Sequence, residues 1–564
     1  MPVDGLPGAN RTTLDRLTNG WTLLLVCLAV YGPLFWQIPL ARGESMYALI
    51  PKEMLASGSW FTPTLNGVPY LDKPPLLYWI NILGFKILGI SDWAARVPTL
   101  ILSLGQVWIT YLIGIRLLSR RAAWLGGFIL FSCVGFCALY LQLLTDHLIS
   151  LSLAASLYFM LRWQEAPGFR WSVLFFLTLV AGFLSKSFIG VCFPLVIGGI
   201  YALYMRQAQL FTLLFSPKGL VLVVLLIVPW FVGVENAHPG FLKHQFVNEQ
   251  ILRFLGQRQP PDIIPFSLAG FWVFLMIWLM PWTVLLPEAL FRFWRKTGGS
   301  EEKKPARLLI IWAAVILGFF TLSASRIEYY SLPALPALAL VVGWRLDRYL
   351  SVPRDTKPVW GLLVIALLGM TLLLLLPNLE ALCAGNRREF VGLVAMIEPL
   401  AGVASFLVPT LALVGLVAGF RRPWVTVGSY SVLALTLVGF TFYSILVISP
   451  HLSDKAPGEY IRDHGGPQDL MIMEAIEEYE MGGSMVFYAG RPILMVQRDG
   501  LPEFPYPVPP EQNYLISPER LKELWFGPRR VFLLMDDAFP VEHYLEGAPA
   551  VVKIPGKQLI VNHP

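Results

Sequence analysis

Three carboxylates stand beside long apolar runs, where a charged side chain needs a reason to be retained. Glu44 follows the first apolar run, Asp72 lies in the segment LDKPP, and Asp146 opens the fourth apolar run. A carboxylate at the centre of a membrane costs about 2.5–3.5 kcal/mol on insertion scales, so carboxylates kept near hydrocarbon are candidates for function. The structural alternative is that Asp146 caps its helix and that Glu44 is simply solvated.

Four cations form a second group of candidates. They are Lys73, Lys186 in LSKSFIG, Arg253 in NEQILRF and Arg326 in SASRIEYYSLP. Each lies at the exterior end of an apolar run or in an exterior loop, which runs against the usual retention of Lys and Arg on the cytoplasmic side. Binding of a phosphate would explain them. Snorkelling to lipid headgroups is the alternative.

The elements that must position these groups are membrane-spanning helices. Of the 564 residues 56% are hydrophobic and only 14% are charged, and the mean hydropathy is +0.61. A helix needs about 20 mostly apolar residues to cross the hydrocarbon core. The predicted fold class is therefore a polytopic α-helical membrane protein with about thirteen spans. They lie near residues 21–40, 94–116, 122–141, 144–162, 170–184, 187–205, 218–234, 268–290, 307–324, 331–346, 358–377, 402–420 and 425–449.

Short-loop Lys and Arg residues give the orientation of these spans. Alternate loops are basic, and the basic loops all fall on the same side as Arg11 and Arg16. Because such residues are retained inside, the amino terminus is predicted to be cytoplasmic and residues 451–564 exterior, together with the loops at 41–93, 235–267 and 378–401. This bias also accounts for the net charge of +6. No nucleic-acid partner is needed to explain it.

The exterior loop at 41–93 carries secondary-structure signals of its own. Its apolar spacing predicts an amphipathic helix over residues 47–57, with Gly58 as its stop. The pair Asn66-Gly67 predicts a turn, and residues 76–88 predict a second helix. Two short helices along the membrane surface would roof a cavity.

A change of composition after Pro450 predicts a second domain. A helix capped at Ser517 lies among short apolar runs that are typical of strands, which indicates a small mixed α/β fold. We therefore predict a transmembrane domain over residues 1–450 and a soluble domain over residues 451–564. None of the five cysteines falls in the soluble domain, so no disulfide framework is expected. The runs are SMVFYAG, ILMVQ, RRVFLLM, AVVKI and QLIVN.

Several well-known motifs are absent from the sequence. There is no G-x-x-x-x-G-K-[ST], no G-x-G-x-x-G that opens a helix, no H-E-x-x-H and no paired C-x-x-C. These absences argue against an ATP-driven pump, a dinucleotide-dependent enzyme and a zinc protease.

The first exterior loop resembles that of a known group of enzymes. EMLASGSWFTPTLNGVPYLDKPPLLYW is similar to the first exterior loop of the bacterial aminoarabinose transferases and of their relatives in the protein O-mannosyltransferase superfamily, which are integral-membrane glycosyltransferases of the GT-C type. The likeness continues, in the same order, through TDHLISL, LSKSFIGV, NEQILRFL and SRIEYYSLPALPALAL. It therefore covers most of the chain.

The resemblance implies a reaction and a location. A sugar would pass from a polyprenyl-phosphate donor to an acceptor on the periplasmic side of the bacterial cytoplasmic membrane, where lipid A, another envelope glycolipid or glycan, or a protein would receive it. It implies a monomer that acts on a membrane lipid or glycan. The resemblance assigns no cofactor to this chain, but a divalent metal ion is present in some members of the family.

The resemblance also implies roles for the candidate residues. Lys73, Arg253 and the pair Tyr329 and Tyr330 would bind the donor phosphate, with Lys186 nearby and Arg326 in the same group. The catalytic candidates are Glu44, Asp146 and Asp72. Asp72 and Asp146 fall where some members of the family bind a metal, and they are the candidate ligands.

Two departures from the family pattern concern the chemistry. The family usually has Asp-Glu after the first span, with the Asp as the leading candidate for a general base, whereas this chain has Gly43-Glu44. Where the aminoarabinose transferases tend to have His-Glu-His, this chain has Asn248-Glu249-Gln250, so a metal site would lack those imidazoles. An acceptor that is itself a phosphate would need no base.

Two further interpretations are compatible with a polytopic chain. A transporter or flippase of a lipid-linked saccharide should carry ionisable or helix-breaking residues deep within its spans. The candidates of this chain lie at the exterior ends of spans, which favours an enzyme. A non-catalytic relative is the third interpretation, suggested by Gly43 and the missing histidines, although Glu44, Asp72 and Arg253 remain.

Overall fold

The computed structural model describes residues 18–34, 36–140, 142–259, 267–297, 305–352, 355–375, 388–420, 422–474, 482–496, 508, 512–536, 541–554 and 556–563. A helix lies at each of the thirteen predicted spans. These helices are Gly20–Tyr31, Asp92–Leu117, Arg120–Ser132 with Val134–Tyr140, Asp146–Glu165, Phe169–Lys186, Ile189–Met205, Pro217–Ala237, Leu268–Trp278 with Trp282–Thr297, Leu308–Leu322, Leu335–Ser351, Lys357–Leu375, Arg388–Gly419 and Pro423–Leu452.

Fewer than thirteen helices meet the length and hydropathy that a membrane span needs. Within the described part of the chain, 6 helices are long and apolar enough to cross a membrane, or up to 8 if each bent pair is one span. The first helix ends at Tyr31, well short of the predicted residue 40, and belongs to the shorter apolar helices. The polytopic helical class is therefore confirmed, and the count of thirteen stays a prediction.

The span predicted at 268–290 is not one straight helix. Leu268–Trp278 and Trp282–Thr297 meet at an angle of 102°. Pro281 stands at the break, and a proline cannot donate the backbone hydrogen bond that would continue the first helix. The second helix ends with Arg295 and Lys296, both exposed. Hydropathy alone does not reveal the bend, because the apolar composition continues across it.

The first exterior loop folds as its sequence predicts. Its first helix spans Arg42–Ser57 and ends at Gly58, whose φ of 71° is in the left-handed region that glycine tolerates. Strands β1 (Thr64–Leu65) and β2 (Val68–Pro69) form a hairpin around Asn66-Gly67. The second helix spans Leu76–Leu88. Both surface helices pack against each other and cover one end of the helical bundle.

The carboxyl-terminal part contains a six-stranded mixed sheet. Its strand order is β5-β4-β3-β6-β8-β7, with parallel pairing from β5 to β6 and antiparallel pairing among β6, β8 and β7. The strands are β3 (Leu470–Glu474), β4 (Leu494–Val496), β5 (Leu515–Ile516), β6 (Val531–Asp536), β7 (Ala550–Ile554) and β8 (Lys557–Val561). The helices of this part are Lys455–His464, Gly483–Ala489 and Pro518–Trp525.

One prediction for this part was wrong and one was incomplete. The run SMVFYAG forms the helix Gly483–Ala489 and its end at Gly490, and not a strand. Every residue of this helix is buried, so the run has no alternation of buried and exposed positions that would distinguish a helix from a strand. Strand β3 was not among the predicted runs. The capped helix is confirmed, since the backbone N–H of Arg520 donates to the Ser517 hydroxyl at 3.2 Å.

The carboxyl-terminal part is fastened to the first exterior loop by specific polar contacts. The Asn66 side chain donates to the carbonyl of Ile493 at 2.9 Å and accepts from its N–H at 3.0 Å. Lys52 Nζ donates to the Phe487 carbonyl at 2.6 Å. A shared apolar core unites the two parts. The carboxyl-terminal part therefore stabilises the loop that carries Asp72 and Lys73.

Candidate functional site

A cavity with about 550 Å³ of empty space, part of which is open to solvent, lies beside the first exterior loop. One side of it is charged and the other is apolar and aromatic. Five of the residues predicted from the sequence line it, namely Asp72, Lys73, Lys186, Arg253 and Tyr330. The remaining lining residues are Pro74, Ile189, Gln245, Glu249, Gln250, Phe254, Phe319, Phe320, Ser323 and Ser325.

A helix in the loop before residue 260 supplies most of the charged side. It consists of Phe241–Lys243, a π-helical stretch His244–Leu252, and Arg253–Leu255, and we call it the clamp helix. The wider π-helical turns place Gln245, Glu249 and Arg253 along the cavity. Single π-turns are often found at functional sites. The loop LDKPP brings Asp72 and Lys73 to the same wall.

Glu249 is the centre of the ion pairs on this wall. Its Oε2 accepts from Arg253 at 3.0 Å and from Lys73 Nζ at 3.4 Å, and Arg258 donates to its Oε1. Burial alone would raise the pKa of Glu249, but these three cations lower it well below its usual range. Glu249 is therefore a carboxylate that orients cations and not an acid that donates a proton.

Asp72 is held in the same network. His244 Nε2 lies 2.7 Å from its Oδ1, and Arg258 donates to its Oδ2 at 2.9 Å. Neither His244 nor Arg258 was predicted from the sequence. Glu249 was noted only as part of a departure from the family pattern. The spacing of Gln245, Glu249 and Arg253, four residues apart, is the signal that could have revealed this face.

Asp146 and Lys186 form a separate pair at the back of the cavity. Lys186 Nζ lies 2.6 Å from Asp146 Oδ1; Asp146 is buried and Lys186 is half-buried. The same Nζ lies 4.4 Å from the ring centre of Tyr330 and 5.9 Å from that of Tyr329. Tyr329 packs behind Tyr330, with ring centres 5.6 Å apart. Tyr329 thus stands beside the cavity but is not among its lining residues.

The predicted metal role of the pair Asp72 and Asp146 stays a prediction. Asp146 is paired with Lys186, and the side chains that come close to Asp72 are others. In the described ranges, the His, Cys, Asp and Glu atoms that lie within 4.8 Å of one another are those of Asp72, His244 and Glu249. The group therefore includes an imidazole, that of His244, one helical turn before residue 248, where the family pattern has a histidine. The spacing of residues along the sequence could not show this group, because Asp72 comes close to His244 and Glu249 only in the folded structure.

Glu44 lies away from the cavity lining and is fully engaged. Arg96 donates to its Oε1, the backbone N–H of Ala41 donates to the same oxygen at 3.1 Å, and that of Leu143 donates to Oε2 at 2.9 Å. Glu44 is only 4% exposed. These contacts favour an anchoring role, since they join the start of the first surface helix to Arg96 and to the backbone at Leu143. The catalytic roles of Glu44, Asp72 and Asp146 stay predictions.

Arg326 does not reach the cavity either. Its guanidinium donates to the backbone carbonyl of Ser323 within its own loop, and Arg326 is not among the lining residues. The loop itself does contribute, through Ser323, Ser325 and Tyr330. A role for Arg326 in phosphate binding stays a prediction.

Comparisons with known proteins agree with this architecture. Residues 72–232 match the family described as Dolichyl-phosphate-mannose-protein mannosyltransferase. Among curated relatives, the undecaprenyl phosphate-alpha-4-amino-4-deoxy-L-arabinose arabinosyl transferase 1 of Pseudomonas fluorescens is 28% identical over 58% of this chain and 60% of its own length. The corresponding transferase of Aeromonas salmonicida is 30% identical over 58% of this chain and 59% of its own.

A solved structure resembles nearly the whole chain. The crystal structure of ArnT from Cupriavidus metallidurans bound to undecaprenyl phosphate superimposes with a TM-score of 0.80 over 96% of this chain and 98% of that one, at 22% identity. The apo structure of the same protein gives a TM-score of 0.78. The match to the curated relatives spans about 60% of their length. The predicted resemblance is confirmed, and the fold is of the GT-C type.

Proposed function

We propose that the chain is a glycosyltransferase that moves a sugar from a polyprenyl-phosphate donor to a phosphate-bearing membrane glycolipid. One observation carries this proposal: a single cavity joins a cluster of fixed cations to an aromatic and apolar wall. A polyprenyl-phosphate sugar has the same division, with an anionic phosphate beside a long apolar chain. The relatives are named as undecaprenyl phosphate-aminoarabinose transferases, and the same donor class fits here.

The charge of the cavity suits one phosphodiester. Three cations (Lys73, Lys186 and Arg253) and two carboxylates (Asp72 and Glu249) line the cavity, which leaves a net charge of +1. Arg258 and Asp146 are ion-paired to these lining residues, and their charges cancel. A sugar-phosphate diester carries one negative charge. The phosphate would bind beside Lys73, Arg253 and Lys186, with Tyr330 on the same surface. Phe254, Phe319 and Phe320 would line the first part of the prenyl chain.

The reaction follows from these contacts. The bond between the anomeric carbon and the phosphate oxygen breaks, and polyprenyl phosphate leaves with the electron pair. The negative charge on the leaving phosphate increases from one to nearly two during this step. Preorganised cations in a shielded cavity therefore stabilise the transition state more than the ground state. The anomeric carbon becomes oxocarbenium-like and is attacked by an acceptor oxygen. Buried Gln245 offers an amide on the cavity wall for a sugar hydroxyl.

The acceptor is inferred from the state of the carboxylates. A hydroxyl acceptor needs a base within hydrogen-bond reach, and a base must be free to take a proton. In the part of the chain that the structure describes, Asp72 and Glu249 of the cavity wall each bind a cation, and so do Asp146 behind Lys186 and Glu44 away from the cavity. A phosphate oxygen attacks without a base. We therefore propose a glycolipid phosphate, such as that of lipid A, as the acceptor.

Gly43→Asp restores the family's carboxylate and tests this choice. A Cβ at Gly43 would meet no atom within 4 Å, and an acidic residue in the first turn of a helix is favourable, so we expect a folded variant. Its transfer rate should stay within about twofold of wild type, because a phosphate acceptor gains nothing from a base. A base that was missing would contribute about 10²–10⁴-fold. A rate increase of that order would therefore identify a hydroxyl acceptor.

We also propose that the cavity opens to the periplasm, in the bacterial cytoplasmic membrane. Basic loops on one side and the helices described above support this orientation. A phosphatase reporter that is active only outside the cytoplasm should be active when fused after His451. The same reporter fused in the basic loop after Arg206 should give the opposite result. A cytoplasmic signal from the His451 fusion would show that the predicted number of spans is wrong by one.

A comparison of envelope lipids tests the function in cells. Mass spectra of the envelope glycolipids from cells with and without the chain should differ by the mass of one sugar residue on a phosphate-bearing lipid. The control is a strain that carries Lys73→Ala at the same expression level, in which that difference should shrink. Identical glycolipids and altered proteins or glycans instead would refute the proposed acceptor.

A further inference from the structure

The group of Asp72, His244 and Glu249 has the composition of a metal site. Its ligand atoms lie within 4.8 Å of one another, and carboxylates with an imidazole are ligands that zinc and manganese accept in proteins. By distance alone this group would be taken as the place of a divalent cation. Its hydrogen bonds lead to a different conclusion.

Every carboxylate oxygen in this group already has a nitrogen partner. Asp72 Oδ1 is 2.7 Å from His244 Nε2, and Asp72 Oδ2 is 2.9 Å from an Arg258 nitrogen. The Glu249 oxygens are occupied by Arg258 on one side and by Arg253 and Lys73 on the other. A metal ion at this place would displace these donors and stand next to the fixed charge of Arg258. The residues therefore do not fit a metal while Arg258 is in position.

Arg258 makes the connection that a bridging ion would make. Its planar guanidinium binds Asp72, which is 186 residues away in the sequence, and Glu249 of the clamp helix at the same time. Gly256, with a φ of 72°, turns the chain after the clamp helix so that Arg258 folds back over it. An arginine guanidinium is always charged in proteins, so the bridge stays charged.

We propose that the Arg258 guanidinium takes the place of a divalent cation between Asp72, His244 and Glu249, and that it positions the phosphate-binding cations Lys73 and Arg253 without metal. Arg258 is then a positioning residue. It holds Glu249 in register with the LDKPP loop, so that Lys73 and Arg253 point at one phosphate. The inference rests on the proposed function for its activity readout, but its metal-binding readout is independent of any reaction.

Removal of the guanidinium should create a metal site. The experiment uses the purified full chain in detergent, without an affinity tag, after dialysis against EDTA. Zn²⁺ and Mn²⁺ binding is measured by calorimetry, and transfer is measured with and without each ion. Wild type should bind no stoichiometric ion and should be insensitive to EDTA. Arg258→Ala should bind about one ion per chain and lose about a hundredfold in transfer, as misplaced groups do. Added ion should restore part of this loss.

Matched variants separate this result from nonspecific effects. His244→Ala combined with Arg258→Ala should bind no ion, because one ligand is missing. Arg520→Ala removes an exposed arginine that pairs with Glu523 far from the cavity, and it should behave as wild type. Arg258→Gln offers a second variant of similar size if the alanine variant does not fold.

Two results would overturn the inference. One is a wild-type chain that binds a stoichiometric ion at Asp72, His244 and Glu249 and loses transfer when EDTA strips it. The other is a folded Arg258→Ala or Arg258→Gln chain that binds no ion. Metal binding as predicted in a chain that transfers no sugar would leave this inference standing and refute the proposed function instead.

Discussion

Lys73→Ala and Arg253→Ala should each weaken the use of a polyprenyl-phosphate sugar by about ten- to a hundredfold. Hydrogen bonds to charged groups contribute about 1.5–3 kcal/mol, and about 1.4 kcal/mol is tenfold in affinity. Both cations line the cavity, and both bind the same oxygen of Glu249. Their effects should appear as a higher donor concentration at half-maximal rate and as a lower maximal rate, because the leaving phosphate gains charge.

The double variant gives the sharper result. Since the two cations serve one ligand and share Glu249, the loss in the Lys73→Ala/Arg253→Ala chain should be smaller than the sum of the single losses by about 0.5–3 kcal/mol. Lys455→Ala is the matched control, because Lys455 pairs with Asp92 away from the cavity. The measurement is the transfer rate against donor concentration for wild type, the two single variants, the double variant and the control. Strict additivity with unchanged donor dependence would mean that these cations only contact lipid headgroups.

Glu44→Ala should destabilise the protein more than it slows transfer. The substitution leaves Arg96, which is 1% exposed, without its carboxylate partner. Removing one partner of a buried ion pair costs about 3–5 kcal/mol of stability. Two backbone N–H groups, those of Ala41 and Leu143, lose their acceptor as well. We expect a lower unfolding temperature in detergent and a lower yield.

A second substitution distinguishes anchoring from catalysis. Arg96→Met in the Glu44→Ala background removes the unpaired charge and should recover part of the lost stability, because an apolar side chain of similar length can replace a buried charge. Transfer per folded molecule should then return to within about tenfold of wild type. A recovered fold with transfer still reduced by about 10²–10⁴-fold would mean that Glu44 is a base after all.

Local signals in the sequence predict the exterior loop well. Gly58 ends the first surface helix, Asn66-Gly67 forms the hairpin turn, and the second helix has the predicted bounds. Each of these features depends on residues that are close together in the sequence. The bend at Pro281 was missed because it depends on residues that are distant in the sequence. Hydropathy is continuous there, and the direction of the second helix is set by packing against distant helices.

The site was predicted in part, and the difference has a physical cause. Lys73, Lys186 and Arg253 stand out in the sequence because exterior cations break the positive-inside rule. Arg258 lies in the same exterior loop as Arg253 and breaks the same rule, so it could have been marked as a candidate, whereas His244 carries no such signal. Their roles arise only when the clamp helix meets the LDKPP loop. Asp146 has a predictable place but an unpredictable partner, because Lys186 reaches it from the next helix.

Transfer by the purified chain tests the central claim most directly. Vesicles that contain the chain, an undecaprenyl-phosphate sugar with an isotopically labelled sugar, and lipid A are incubated and analysed by mass spectrometry. The account predicts labelled sugar on a lipid A phosphate and an equal amount of free undecaprenyl phosphate, both reduced in the Lys73→Ala and Arg253→Ala chains. Intact donor that only changes leaflet, or no change in either lipid, would contradict it.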